Sequence, residues 1–506
     1  MGHFWTFAAA AFLMASPAAA MQKSAAASPL TKAVTDAVDK HFLDYQEKAH
    51  VPGLAWAVVQ NGRLVHTGFS GVQNLDTGAS VDADTHFRIA SMSKAFTALA
   101  ILKLRDDGLL SLDALAETYA PELKEWRYPT TDSPRIRVRD LLHHVGGLVT
   151  DDPWGDRQQP LSEEAFTAML REGPPLTRAP QLQYEYSNYG YAVLGRIIAN
   201  VSGQSFDSYI TAEIMRPLGM ETTGYEVAET PMEKRALGYR WENEAFSAEP
   251  EMAHGAFGSM GGVHTSVNDY ARWVSFLLAG WPARDGAEQE PVKRATVREI
   301  AQGLNFPRMA NRPGLEEADP PCAYPSAYGM GFILAIDCDL GPTLSHSGGF
   351  PGYGSNLLLM PEAGVGVFAF ANRTYAGPAA TVRLAALELE RAGFLTGRAV
   401  PVSEPLAAAY KAAGAVYRAG DLKPIRKMLA MNFLMDRSEE NWALELAGLK
   451  RQSGECRTDA PIAANGALTG AFSWRCENGS IEGRLLLAPT TPSGVQALRL
   501  SFTPSS

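Results

Sequence analysis

The sequence predicts an α/β (α+β) chain: an antiparallel sheet flanked by helices, an all-helical subdomain, and a small C-terminal α+β domain. Three observations carry that prediction. Strand-like apolar runs fall in two separated blocks, residues 54–69 and 330–371. Between them, over residues 109–252, apolar residues recur mostly at helical spacing and no strand run stands out. Past a boundary at residues 397–405 the pattern restarts as helices and then four short strands, in a unit of about 100 residues, a usual domain size. At 506 residues the chain is long enough for two or three domains.

Residues 1–20 read as an export signal, with an apolar run over 4–15 and then Ser16-Pro17-Ala-Ala-Ala20, so the mature chain is expected to start near Met21. The n-region is atypical, since no Lys or Arg precedes the run. The run is too short to span a bilayer and breaks at Pro17, and no later stretch reaches transmembrane length. A linker over 25–30 follows. Val34, Val38, Phe42 and Tyr45 then mark a first amphipathic helix, and strands 54–60 and 63–69 flank the hairpin dipeptide Asn61-Gly62.

The next stretch is the one the chain is organised around. Between Arg88 and Lys103 the only charged residue is Lys94; the rest are small or apolar, which predicts a buried helix beginning at Ser91 and closing at Asp106-Asp107-Gly108. An unpaired buried ammonium costs several kcal/mol, so this lysine must find acceptors or release its proton. Three residues is nearly one helical turn, which puts Ser91 and Lys94 on one face. A hydroxyl beside a desolvated amine is an activated nucleophile.

The helical region holds a short helix at 138–144 ending at Gly146-Gly147, and a helix from Asn188 to Gly203 for which Asn188 reads as the N-cap. His143 and His144 are not expected to bind metal, because helical neighbours point about 100° apart and no third ligand is in view. Residues 255–279 begin glycine-rich, implying close backbone approach, and become a helix capped near Ser266. Residues 279–325 turn polar and proline-bearing, which predicts a mobile surface excursion. Strands return at 330–336, 355–360 and 365–371, and a last amphipathic helix over 382–395 is expected beside the first. The terminal unit reads as helices at 406–418, 423–433 and 438–449, with turns at Asn465-Gly466, Asn478-Gly479 and 492–494.

Four cysteines fall in two close pairs, Cys322 with Cys338 and Cys456 with Cys476. Neither has zinc-knuckle spacing, so in an oxidising compartment two local disulfides are the simplest reading, with free buried thiols as the alternative. The net charge of -10 and the absence of a basic run argue against nucleic acid as a partner. No cofactor is expected.

Three signals occur in fixed order: Ser91-x-x-Lys94 opening a buried helix, Tyr186-x-Asn188 in the helical region, and His346-x-Gly348 on a returning strand. Together they resemble the motif set of the serine β-lactamase and penicillin-binding protein superfamily, on the branch of class C β-lactamases, D-alanyl-D-alanine carboxypeptidases, D-aminopeptidases and esterases. Leu141-Leu-His-His144 with Gly146-Gly147, and Gly261-Gly262 with Thr265 and Asp269, also look like the family. His144-Val145-Gly146 fits the third motif too, but that motif follows the tyrosine motif and lies on an edge strand, which only His346 satisfies.

The resemblance covers residues 29–395, with the helical subdomain at 109–252, and leaves the unit at 400–506 outside. It implies a β-lactamase/transpeptidase-like fold and an exported, periplasmic or secreted serine hydrolase that is acylated on Ser91. Lys94 and Tyr186 would handle the proton, without deciding which is the base, and backbone N–H groups of Ser91 and Gly349 would form the oxyanion hole. Asn188 would hold the substrate's amide or ester, and His346, with Gly348 and Gly349 beside it, would line the site and tune Tyr186. Class C β-lactamases carry lysine where this chain has His346, which turns the expectation from antibiotic hydrolysis toward D-amino-acid peptides, esters or small amides and toward activity sensitive to pH near 6 to 7. Two other readings are a β-lactamase and a penicillin-binding or sensing protein that acylates without efficient turnover. The expected partner is a small-molecule or peptide substrate, with oligomeric state undetermined.

Overall fold

The computed structural model describes residues 30–305, 308–312 and 321–505; the export signal, the start near Met21 and nearly all of the 25–30 linker lie outside the described residues. Nine strands form one antiparallel sheet. In spatial order they are Ala79–Ser80, Arg63–Asn74, Gly53–Gln60, Val365–Ala371, Tyr353–Met360, Gly341–Phe350, Ile333–Asp337, Cys322–Tyr328 and Arg308–Arg312. The hairpin turns at Asn61 and Gly62, both with positive φ (48° and 77°), as the Asn-Gly pair requires.

The period-two alternation of a strand decides what lies on each face. Leu54, Trp56 and Val58 point into a cluster with Val38 and Phe42 of the helix Lys32–Lys48 and with Val382, Ala385 and Leu389 of the helix Ala379–Arg391. Ala55, Ala57 and Val59 point the other way, into the main core with Phe96, Leu99 and Trp273. The first and last helices of this body therefore cover one face together, and the helix Val267–Ala279 packs on the other, with Tyr270 against Phe368 and Phe370.

Several expectations are corrected. The α-helix of the central stretch starts at Lys94, and Ser91 sits in a 3₁₀ turn, Ala90–Ser93, that precedes it. The region 109–252 is not all helical, because Tyr239–Glu242 and Ala245–Ala248 pair as a hairpin. Those strands are four residues long, rich in polar residues and joined by Asn243-Glu244 in place of an Asn-Gly pair, so no alternation signal survives. The polar excursion at 279–325 contains a helix, Arg294–Glu299, and adds two strands to the edge of the sheet. His346 does not lie on a simple edge strand. Gly341–Phe350 is paired on both sides up to Ser345, and only from His346 onward does its neighbour Ile333–Asp337 run out.

The last hundred residues build a core of their own from Tyr417, Leu446, Phe472 and Trp474. Helices Glu404–Ala419 and Glu439–Ser453 pack on a four-stranded meander, and the expected middle helix is a 3₁₀ segment, Lys423–Met428. Two turns shift along the chain. Gly466 pairs with Thr469 and Cys476 with Gly479, so the turns centre on 467–468 and 477–478. Both cysteine pairs are joined as disulfides, with Cα separations of 6.3 and 4.0 Å. No helix among the described residues is long and apolar enough to cross a membrane.

Candidate active site

The site forms where the Ser91 turn meets the open half of the strand Gly341–Phe350. Ala90, just before Ser91, is held at φ 48°, a left-handed conformation that strains a residue with a Cβ. What holds it there is close packing. Ile89 donates its N–H to Val263 O (3.0 Å), and its carbonyl accepts from Ser355 Oγ (2.8 Å). Gly348 lies so near that a Cβ on it would come within 2.2 Å of Ile89 O. The third motif thus needs its glycine for the sheet to close on the nucleophile turn.

Lys94 is fully buried. Its ammonium donates to Ser91 Oγ (3.1 Å), Asn188 Oδ1 (2.7 Å) and the Met260 carbonyl (2.8 Å), three neutral acceptors. The close backbone approach expected of the glycine-rich stretch is this one: Gly258–Met260 and the residues after it pack against the start of the lysine helix, with Ser93 Oγ accepting from Val263 N (3.0 Å). Burial lowers the Lys94 pKa to about 8, and the carboxylates of Asp152, Asp156 and Asp151 oppose that fall.

Tyr186 is half-buried, hydrogen-bonded to Ser91, and its ring centroid is 4.9 Å from the Lys94 ammonium. Burial first, and the charge of Asp152 next, push its phenol well above 10. Asn188 is not the N-cap. Ser187 caps the helix Asn188–Ser202, its Oγ accepting from Gly190 N, which leaves the fully buried Asn188 side chain free to reach Lys94. Sequence reading placed the cap one residue late, because Ser and Asn are both good caps.

His346 has two partners: Nε2 lies 3.0 Å from Tyr328 Oη, and Nδ1 donates to Ser347 O (2.7 Å). Its ring is 6.2 Å from that of Tyr186, so the expected tuning of Tyr186 does not run through a direct hydrogen bond. The expected titration near pH 6 to 7 is also corrected, since burial, with Lys94 adding repulsion, lowers the His346 pKa to about 3 and keeps the imidazole neutral. Gly349 faces the ring of Tyr375, where a Cβ would lie 2.8 Å from Cδ1.

The structure therefore brings Ser91, Lys94, Tyr186, Asn188 and His346 together, with Gly348 and Gly349 beneath. It also adds residues that sequence reading did not assign. His144 packs its ring on Tyr186 (4.4 Å) and Tyr328 (4.5 Å) and accepts from Ser187 N at Nδ1 (3.1 Å). His143 instead points to Tyr328 O (3.3 Å), so the two histidines share no ligand position. Asp151 accepts from the N–H groups of Asn188 (2.6 Å) and Tyr189 (2.7 Å), Asp152 accepts from Asn188 Nδ2, and buried Asp156 accepts from Tyr375 Oη (3.2 Å). The family-like Leu-Leu-His-His segment signalled His144; nothing local in the sequence marks Tyr328, Asp152 or Tyr375. Beside Tyr184 and Tyr186 opens a cavity of about 1100 Å³ whose wall includes Arg178 and Arg308.

A buried amine hydrogen-bonded to a serine hydroxyl, next to a phenol, is equipped for nucleophilic attack on a carbonyl with proton transfer to the leaving group. The sequence profile of the beta-lactamase family matches residues 38–391. Protein flp of Staphylococcus aureus (strain NCTC 8325 / PS 47) is 28% identical over 346 residues, 67% of this chain and 62% of that protein, so the match spans less than two thirds of the relative's length. D-alanyl-D-alanine-carboxypeptidase/endopeptidase AmpH of Escherichia coli (strain K12) is 26% identical over 71% of this chain and 89% of its own.

Among solved structures, an octameric penicillin-binding protein homologue from Pyrococcus abyssi has the same fold (TM-score 0.58, 18% identity, 92% of this chain and 99% of that one). That coverage is more than residues 29–395 alone can supply, so the likeness of fold reaches into the terminal unit, which the sequence motifs do not. EstCE1, a hydrolase with promiscuous acyltransferase activity, matches at TM-score 0.58 and 18% identity over 71% of this chain and 98% of its own.

Proposed function

The chain belongs to the beta-lactamase family, and from that premise we propose that it is an exported serine hydrolase acting on D-amino-acid peptides, esters or related small amides through an acyl-enzyme on Ser91. The observation that carries the proposal is the Lys94 amine, buried among neutral acceptors and 3.1 Å from Ser91 Oγ. A pKa lowered to about 8 leaves a usable fraction of free amine near neutral pH, whereas Tyr186 is pushed away from ionising, so Lys94 is the better base for the first step.

Ser91 Oγ attacks the substrate carbonyl as its proton passes to Lys94. Backbone N–H groups of Ser91 and Gly349 receive the oxyanion, each worth about 3 kcal/mol in the transition state. The tetrahedral intermediate then expels its amine or alcohol, which takes a proton from Tyr186, and Lys94 reprotonates the phenolate. Water hydrolyses the resulting ester by the reverse relay.

Two disulfides and the apolar segment at residues 1–20 support export to an oxidising compartment. The relatives AmpH and EstCE1, named as a peptidase and a hydrolase, support the reaction class. Residues 29–395 are the hydrolase unit in this account and 400–506 a separate unit outside the chemistry. Incubation with a fluorescent fluorophosphonate tests the nucleophile: the parent protein should label and Ser91→Ala should not, while equal labelling of both removes Ser91 from the mechanism.

A further inference from the structure

The two walls of the catalytic cleft meet beyond Gly349. One wall is Asn188 with the loop seated against it, where Gly155 comes so close that a Cβ on it would lie 2.6 Å from Asn188 Cβ. The other is the strand Gly341–Phe350. Ser91 sits between them, tied to Asn188 through Lys94 and to the strand through the approach of Gly348 to Ile89. Asp156, on the short helix Trp154–Arg157 of the first wall, accepts a hydrogen bond from Tyr375 Oη (3.2 Å), and the Tyr375 ring lies on Gly349 of the second.

The tyrosine is held in place by its backbone. Tyr375 has φ 53°, a left-handed conformation that strains a residue with a Cβ. Its ring is 43% exposed, so core packing does not account for the strain. The neighbours on both sides are pinned: Thr374 Oγ1 accepts from Gly352 N (2.8 Å) and donates to Glu249 Oε1 (2.9 Å), and the Ala376 carbonyl accepts from Tyr45 Oη (2.7 Å). Asp156, at the other end of the contact, is buried.

The strand gives the direction of the substrate. His346 is at the Tyr186 end, and Gly349 is three residues further on, about 10 Å along a strand. A leaving group that takes its proton from Tyr186 lies toward that end. The acyl group of the same carbonyl then points the opposite way, past Gly349 toward Tyr375 and Asp156. An alkyl chain forced between those two would leave a buried carboxyl group without its donor and could offer none in return.

We propose that the Asp156–Tyr375 contact is the end wall of the acyl subsite, and that Tyr375 is a specificity residue limiting the acyl group to a few carbon atoms. The proposal rests on the hydrolase reading above and states what bounds the substrate in that same site.

The test compares kcat/KM for p-nitrophenyl acetate and p-nitrophenyl octanoate on the full-length protein, two esters that share a leaving group and differ only in acyl length. The parent should favour the acetate by at least about tenfold, since a chain longer than the subsite has no place to go. In Tyr375→Ala, which removes ring and bridge together, the ratio of acetate to octanoate should fall by at least about tenfold; because it is a ratio, general damage to catalysis cancels. In Tyr375→Phe the ring stays but loses its anchor, and the ratio should fall too. A parent that shows no preference or favours the octanoate overturns the proposal, as does a Tyr375→Ala or Tyr375→Phe protein that keeps the parent's ratio. Failure to hydrolyse either ester also overturns it. Fluorophosphonate labelling of Ser91 in the same preparation then tells whether the hydrolase reading survives.

Discussion

The two cores of this chain treat polar groups in opposite ways. In the body the interior holds Arg88, Lys94, Asp140, Asn188 and His346, all buried. In the terminal unit Ser453 is the sole buried polar side chain among the described residues, and it is tied to Tyr417 Oη (2.7 Å) and Leu449 O (2.8 Å). Buried charge costs stability unless paired, so the body bears a burden that the terminal unit avoids.

Within the body a second contrast separates structure from chemistry. Buried Asp140 is neutralised by a two-pronged contact with Arg137 on its own helix. Lys94 is met by three neutral oxygens and by no carboxylate in contact among the described residues. A buried charge that is solvated without being neutralised is poised to give up its proton.

The largest expected effect sets the two cores apart. Lys94→Met and Tyr186→Phe should each lower kcat/KM toward a small ester by about a thousandfold or more, and the double variant should be scarcely worse than either, because the groups act as one unit. Circular dichroism should show both folded, as removing a buried charge does not open the core. A pair of losses that multiply would break the claim that they share one proton path.

On the other side of the comparison, Trp474→Ala should cost about 3 to 5 kcal/mol in unfolding of the terminal unit, as the loss of a fully buried tryptophan does. Esterase kcat/KM, measured at a temperature where the variant is folded, should stay at the parent's value. A large kinetic loss would place the terminal unit within the chemistry.

A smaller effect sharpens the contrast within the site. Tyr328→Phe removes the hydroxyl at His346 Nε2, and one neutral buried hydrogen bond is worth about 1 kcal/mol, so kcat/KM should drop by about fivefold to tenfold. Nuclear magnetic resonance of the His346 ring should show it neutral down to pH 5 in the parent.

The smallest effect concerns pH. Burial, with Asp152 adding repulsion, raises the Asp156 pKa to about 7, above its ordinary value of 3.8. The folded state therefore holds this proton more tightly than the unfolded one. The wild-type protein should lose stability relative to Asp156→Asn as pH climbs from about 4 through 7, and thermal melts of the two should coincide below pH 4. Asp156 also helps keep Lys94 charged, so the acidic limb of kcat/KM in Asp156→Asn should move to lower pH by a fraction of a unit.

What could be read in the sequence followed the range of the forces involved. The Asn61-Gly62 hairpin, the helix stripe through Val38 and Phe42, and the isolated Lys94 are local patterns, and each lies where the pattern put it. Ser91, Tyr186, Asn188 and His346 were found by their order along the chain, and the fold brings them together. Tyr328 and His144 escaped a role because their meaning lies in contacts across the fold, 18 residues from His346 and 43 from Ser187. The titration of His346 was misjudged for a related reason: the ordinary imidazole value applies in water, and nothing local announces that the third motif is buried under Tyr328.

The most direct test of the central claim is the rate at which Ser91 is acylated as a function of pH, measured as the burst with an activated ester in the parent and in Lys94→Met. The parent rate should rise with pH to a plateau, with a midpoint near the lowered Lys94 pKa of about 8, and the Lys94→Met rate should be lower by orders of magnitude and lack that limb. A Lys94→Met protein that acylates as fast as the parent, along the same pH curve, would contradict that claim.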